Sequence, residues 1–178
     1  EGINDNIFAA RTPTELQSTY FYRWDITTND WIGVPTPAGI TMTGVVKVRM
    51  HRYNWGTTKI AIVDGVNRAA TYDGTTYTQI TSTLAPAAPK YVGVYKNHLF
   101  LGGDPSEPYN LYFSAPYNDT DFTPANGAGV INVGFDIVQI KQFRNVLFIF
   151  GKNEIKSLTG NSLADFVLGE VTENLGCV

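Results

Sequence analysis

The chain has 178 residues, 43% hydrophobic, 13% aromatic and only 16% charged, with 13 Lys and Arg against 16 Asp and Glu for a net charge of −3. That balance excludes long disorder, which needs low hydrophobicity and high charge, and a broadly basic nucleic-acid-binding surface, which displaces counterions with excess Lys and Arg. One cysteine, Cys177, excludes an intrachain disulfide framework or a cysteine-rich zinc site, and no apolar run reaches the ~20 residues that cross a bilayer as a helix.

In chain order, Asn6–Ala10 is predicted as a strand, Pro13–Gln17 as a single helical turn and Tyr20–Asp25 as a strand. The turn Thr27-Thr28-Asn29-Asp30 leads into a strand at Trp31–Val34, and the proline-rich join Pro35-Thr36-Pro37 follows. A second unit begins with Val45–Met50, where Val46, Val48 and Met50 alternate with Lys47, Arg49 and His51 as on a half-exposed strand. Strands at Lys59–Val63, Ala69–Tyr72 and Tyr77–Ile80 complete it, the last two joined by the hairpin turn Asp73-Gly74-Thr75-Thr76. After the join Pro86–Pro89 come Tyr91–Tyr95, Asn97–Gly102 and a further short run at Leu111–Ala115. Ile137–Phe143, Asn145–Phe150 and a run from Ile155 repeat that order, with a capped turn at Ser162–Asp165.

The repetition decides the fold class. Asn97-His98-Leu99-Phe100-Leu101 aligns with Asn145-Val146-Leu147-Phe148-Ile149, and Asp121-Phe122 aligns with Asp165-Phe166. Four short strands every ~45 residues is the period of a β-propeller blade. The second strands, Ile60–Val63, Leu99–Leu101 and Leu147–Phe150, are apolar without alternation, as expected where neighbours cover both sheet faces. The reading is an all-β, partial β-propeller of about three and a half four-stranded blades. Its expected limits are a partial first blade at 1–40, a second at 41–85, a third at 86–134, and at 135–178 a fourth with the start of a further one. Because the pattern starts and stops within a unit, a longer chain is expected. A β-sandwich of about twelve strands is the competing fold, but it supplies no reason for the echo.

The residues that carry chemistry are sparse. His51 and His98 occupy unlike repeat positions with no metal-ligand spacing around them, so both are expected to be ordinary strand histidines. Asp64, Asp73, Asp104, Asp119, Asp121 and Asp165 fall in expected turns, where Asp commonly accepts backbone N–H groups. Asp104 and Asp121 are the best acids a glycan-cleaving propeller would have. Asn118-Asp119-Thr120-Asp121 is too poor in ligands for a strong calcium loop, and Asn118-Asp119-Thr120 is a glycosylation sequon that matters only in a secretory pathway. Lys47, Arg49, His51 and Arg52 form a small basic stretch, expected to be a solvated strand face. The aromatics are expected in blade-to-blade packing, since Phe122 matches Phe166 and Phe100 matches Phe148. No catalytic, cofactor-binding or metal-binding residue is assigned, and no enzyme activity or cofactor is expected.

Two resemblances complete the reading. Tyr22-Arg23-Trp24-Asp25 through Asn29-Asp30-Trp31 is similar to a kelch blade, and Gly102-Gly103 to the kelch glycine pair. More extensively, Lys96–Leu101, Leu111-Tyr112-Phe113-Ser114-Ala115, Asp121-Phe122, Gly129–Gly134, Asn145–Phe150, Ile155–Gly160 and Asp165–Leu168 leading to Leu175-Gly176-Cys177-Val178 resemble phage tail-nozzle and packaged-DNA stabilisation proteins. That resemblance implies a structural protein of a short-tailed phage virion, in the tail or neck. It implies a homo-oligomeric ring, usually sixfold, that contacts other phage neck or tail proteins and retains and then passes DNA as cargo, without a membrane anchor. The alternative expectation is a kelch-like or lectin-like propeller that binds a protein or a glycan.

Overall fold

The computed structural model describes residues 7–11, 19–36 and 47–176. Among the described residues fifteen strands form four separate antiparallel sheets in which neighbours in sequence are neighbours in space. Blade 1 is β1 (Phe8–Arg11), β2 (Tyr20–Asp25) and β3 (Asp30–Gly33); blade 2 is β4 (Arg49–Asn54), β5 (Thr58–Val63), β6 (Ala70–Tyr72) and β7 (Tyr77–Gln79). Blade 3 is β8 (Tyr91–Tyr95), β9 (His98–Asp104), β10 (Glu107–Phe113) and β11 (Gly129–Asn132), with one turn of 3-10 helix at Pro124–Asn126 before its last strand. Blade 4 is β12 (Gln139–Phe143), β13 (Val146–Phe150), β14 (Ile155–Thr159) and β15 (Val167–Thr172).

The echoed motif is a hairpin. Tyr95 pairs with His98, and the two residues between them, Lys96 and Asn97, both have positive φ (48° and 64°). A two-residue turn of this hand matches the twist of its strands, and Asn tolerates it well. Phe143 pairs with Val146 across a turn of the same length, Arg144-Asn145, in which only Arg144 has positive φ (53°). The two hairpins belong to different sheets, so Leu99–Leu101 and Leu147–Phe150 are not strands of one continuous sheet.

The second strands of blades 2 and 3 each feed two cores. Ile60 and Ile62 pack toward blade 1 with Phe21, Val34 and Tyr72, whereas Ala61 and Val63 pack toward blade 3 with Val92, Leu99 and Leu101. Phe100 then points the other way, into a third core with Ile140, Leu147, Ile149 and Leu158 of blade 4. A lone blade would leave both apolar faces in water; each Leu, Ile or Phe fully covered by the next blade contributes about 1.5–3 kcal/mol. The sheets meet chiefly along their first strands, with β8 against β4 on one side and β12 on the other. Meandering sheets stacked face to face, with first strands converging, make the array a partial propeller.

Several boundaries differ from expectation. The first strand of blade 2 lies at Arg49–Asn54, four residues later than Val45–Met50, because the hairpin to β5 closes at Trp55–Thr57 with Asn54 opposite Thr58. Val45, Val46, Pro13–Gln17 and Cys177 lie outside the described residues. The strand expected at Leu111–Ala115 starts at Glu107, since β9 continues through the glycine pair to Asp104 and turns there. Ser162–Asp165 is a turn organised from its far end: the Asp165 carboxylate accepts the Ser162 N–H at 2.7 Å and the Ser162 hydroxyl at 2.8 Å.

Gly103 is where the kelch-like pair does structural work. Its φ is +71°, and a Cβ there would stand 2.5 Å from the Tyr91 ring. Gly103→Ala is expected to destabilise by about 2 kcal/mol in urea unfolding, from left-handed strain plus the collision. An unchanged midpoint would show that Tyr91 can move aside.

Candidate functional site: the inner strands and the outer blade faces

The histidines and most aspartates are absorbed by the fold. His98 is buried with Nδ1 2.6 Å from the Ser114 carbonyl oxygen and its ring edge-on to Phe113 and Phe166 at 5.5 Å. Asp64 accepts the N–H groups of Val66 and Asn67, and Asp73 those of Thr75 and Thr76. Asp121 accepts from the Thr123 N–H at 2.8 Å and the Asn126 amide at 2.6 Å. Asp165 serves its own turn, as described above. Among the described residues no group of three or more His, Cys, Asp or Glu is placed to hold a metal ion.

Asp104 joins two loops. It accepts the Ala88 N–H at 2.8 Å, the Ser106 N–H at 2.9 Å and the Ser106 hydroxyl at 2.7 Å. Burial acts to raise its pKa, but the hydrogen bonds from Ser106 and Ala88 outweigh it and hold the carboxyl below its ordinary 3.8. A group depressed in the folded state stabilises fully above its unfolded pKa, and that contribution is lost as pH falls through the folded value. Asp104→Asn is therefore expected to flatten the fall in melting temperature between about pH 5 and pH 2 relative to the parent chain. Parallel melting curves over that range would remove Asp104 from the acid response.

Asp119 departs from expectation. Instead of serving its own turn or a calcium loop, its carboxylate is buried against blade 2, accepting the Tyr53 hydroxyl at 2.5 Å and the Lys59 Nζ at 2.7 Å. Burial, followed by this carboxylate, raises the Tyr53 phenol far above its usual range. The three residues bolt the β4–β5 hairpin to the loop after β10.

The basic stretch is also not a simple solvated face. Lys47 and Arg52 are exposed, but Arg49 and His51 are half-buried on the side of β4 that faces blade 3. The Arg49 guanidinium lies over the Tyr91 ring, 4.6 Å from its centroid. Its Nη1 is buried and has no hydrogen-bond partner, the one such buried side-chain atom among the described residues. Burial, then the charge of Lys141 on β12, lowers the His51 pKa below 6.5. Nothing in the local sequence marks Arg49, because its partner ring comes from another blade.

The two outer faces are the remaining features. On blade 1 the side chains alternate, so Phe8, Ala10 and Phe21 pack on blade 2. The opposite face presents Ala9, Arg11, Tyr22 and Trp31 around a cleft of about 280 Å³. Trp24 and Trp31 meet there edge to face at 5.4 Å. On blade 4, Leu147 and Ile149 face inward, leaving half-buried Phe148 and Phe150 on the far side. Phe143 and Val167 stay 63% and 62% exposed.

No protein-family model matches the sequence, and no curated protein matches it. Among solved structures the chain is similar to Hsv2p of Kluyveromyces lactis, at 8% identity and a TM-score of 0.49, over 85% of this chain and 47% of that one. The chain thus spans about half the length of that protein. The fold assignment stands on strand order and the three interleaved cores: an all-β array of propeller-type blades.

Proposed function

We propose that this chain is a non-catalytic propeller scaffold that works through protein–protein surfaces, as part of a ring-forming structural protein in the tail nozzle or neck of a short-tailed phage virion. The carrying observation is the pair of outer faces, where Tyr22, Trp24 and Trp31 at one end and Phe143, Phe148 and Val167 at the other sit without a covering blade among the described residues. Apolar faces of this kind are where a further blade packs, whether it belongs to the same polypeptide or to another copy. The phage reading is supported by the tail-nozzle resemblance, whose motifs fall on hairpins and cores of blades 3 and 4 rather than on any reactive cluster. In this reading neighbouring copies and other tail or neck proteins are the partners. DNA is passing cargo, for which a net charge of −3 avoids tight adhesion.

Light scattering and negative-stain electron microscopy of the purified chain test the reading. Closed multi-copy rings are expected. A strictly monomeric particle at micromolar concentration would overturn it.

A second reading has its own observation. The cleft of Ala9, Arg11, Tyr22 and Trp31 combines an aromatic platform with a cation, which suits a lectin-like propeller engaging a glycan or a protein loop. A glycan array decides it: saturable binding that Trp31→Ala abolishes would favour this reading, and no binding would remove its glycan arm.

A further inference from the structure

The inner strands carry an unusual charge pattern. β4, β8 and β12 read RMHRYN, YVGVY and QIKQF: three permanent cations, one histidine and no carboxylate. None of Arg49, Arg52 or Lys141 is in an ion pair; the pairs among the described residues are Arg23–Asp25, Lys59–Asp119 and Lys156–Glu170. The carboxylate just after β5, Asp64, is turned into its own loop, bound to Val66, Asn67 and the Asn67 amide.

Burying one edge of a guanidinium without an acceptor is unfavourable, so a fold that keeps such a group commonly gives it a ligand. The Tyr91 ring fixes the guanidinium plane from one side, and the buried Nη1 is left with a donor that no protein acceptor meets, the kind of group an oxyanion satisfies. His51 lies two residues along the same face of β4, within electrostatic reach of Lys141 on β12. Blade 2 thus supplies Arg49 and His51, blade 3 the Tyr91 ring, and blade 4 a cation, Lys141, whose charge is felt at His51.

We propose that this region is an anion-binding site for a phosphate group, with Arg49 as the bidentate donor, Tyr91 as its floor, and His51 and Lys141 as flanking cationic groups. Arg is suited to the planar, two-pronged contact, whereas Lys141 acts as a point charge. Phosphate is favoured over chloride because it offers several acceptor oxygens to donors that approach from different strands. The core of the site, Arg49 on Tyr91, lies between blades 2 and 3, away from the outer faces on which the scaffold reading rests, so either can fail without the other.

The test is calorimetric titration of the full chain at fixed ionic strength, with inorganic phosphate and glycerol phosphate as separate arms and chloride as the control. Saturable binding in the phosphate arm is expected. Equal affinity in the two arms assigns recognition to the phosphate group alone, whereas tighter glycerol phosphate binding assigns a larger phosphorylated ligand; both support the site. Arg49→Met keeps the apolar stem over Tyr91 and is expected to weaken binding at least about tenfold, with Arg49→Lys in between. Lys141→Gln changes an exposed side chain, so it keeps the fold, and is expected to weaken binding about threefold. The His51 imidazole resonance supplies an independent readout, because its pKa rises when an anion sits beside it. A heat that follows ionic strength alone, or equal binding by the parent, Arg49→Met and Lys141→Gln chains, would overturn the proposal and leave an adventitious ion only.

Discussion

Asp119→Ala is expected to lower the unfolding free energy by about 3 kcal/mol, read as a drop in the urea midpoint at neutral pH. The deletion leaves the Tyr53 hydroxyl without its acceptor at 2.5 Å and removes the counter-charge that Lys59 meets at 2.7 Å. Tyr53 is buried, so its freed hydroxyl cannot turn to water, whereas Lys59 is part-exposed and can. The cost should therefore come mainly from the tyrosine. Asp119→Asn keeps an acceptor and is expected to cost roughly half as much, and Lys59→Met about 2 kcal/mol, because it leaves the buried carboxylate without its counter-charge. Should Asp119→Asn and Asp119→Ala prove equally damaging, charge pairing with Lys59 rather than the tyrosine hydrogen bond would hold the loop.

Phe100→Ala is expected to cost about 3–5 kcal/mol by the same measurement. Phe100 is fully buried where blade 4 closes on blade 3, with Phe113 at 5.5 Å, Phe166 at 5.9 Å and Tyr95 at 6.2 Å between ring centroids. Tyr95 is fixed in turn, its hydroxyl 2.8 Å from the Asn145 carbonyl and 3.0 Å from that of Gly160. Phe148 holds the matching position one blade on, but on an outer face where it is only half-buried. Phe148→Ala in the monomeric chain is expected to cost about 1 kcal/mol or less. A Phe148→Ala cost that grows with protein concentration would show that face covered by another copy, as ring assembly requires.

The blades were legible because their signals are local. A two-residue turn at Lys96-Asn97, with four apolar residues after it, states a hairpin within eight residues, and Arg144-Asn145 states it again. Doubly apolar second strands told that both faces are covered, and Ile60 and Ala61 do divide between two cores. The Asp-rich turns were legible for the same reason, since Asp73, Asp104 and Asp121 bond to N–H groups two or three residues ahead. At the start of blade 2 two local signals compete. Alternation through Val46–Met50 suggested one strand, but the hairpin closing at Trp55–Thr57 placed it four residues later.

What sequence determined by itself is therefore the repeating unit: its strand number, its hairpins, and its need for a neighbour on each side. Those follow from turn chemistry and from the two-residue period of a pleated strand, which act over a few residues. Tertiary structure alone decided that Asp119 reaches Lys59 sixty residues back, and that Arg49 lies on Tyr91 with a buried N–H left over. Such contacts join residues from different blades, and their energy depends on distance and burial after stacking, which no local pattern encodes.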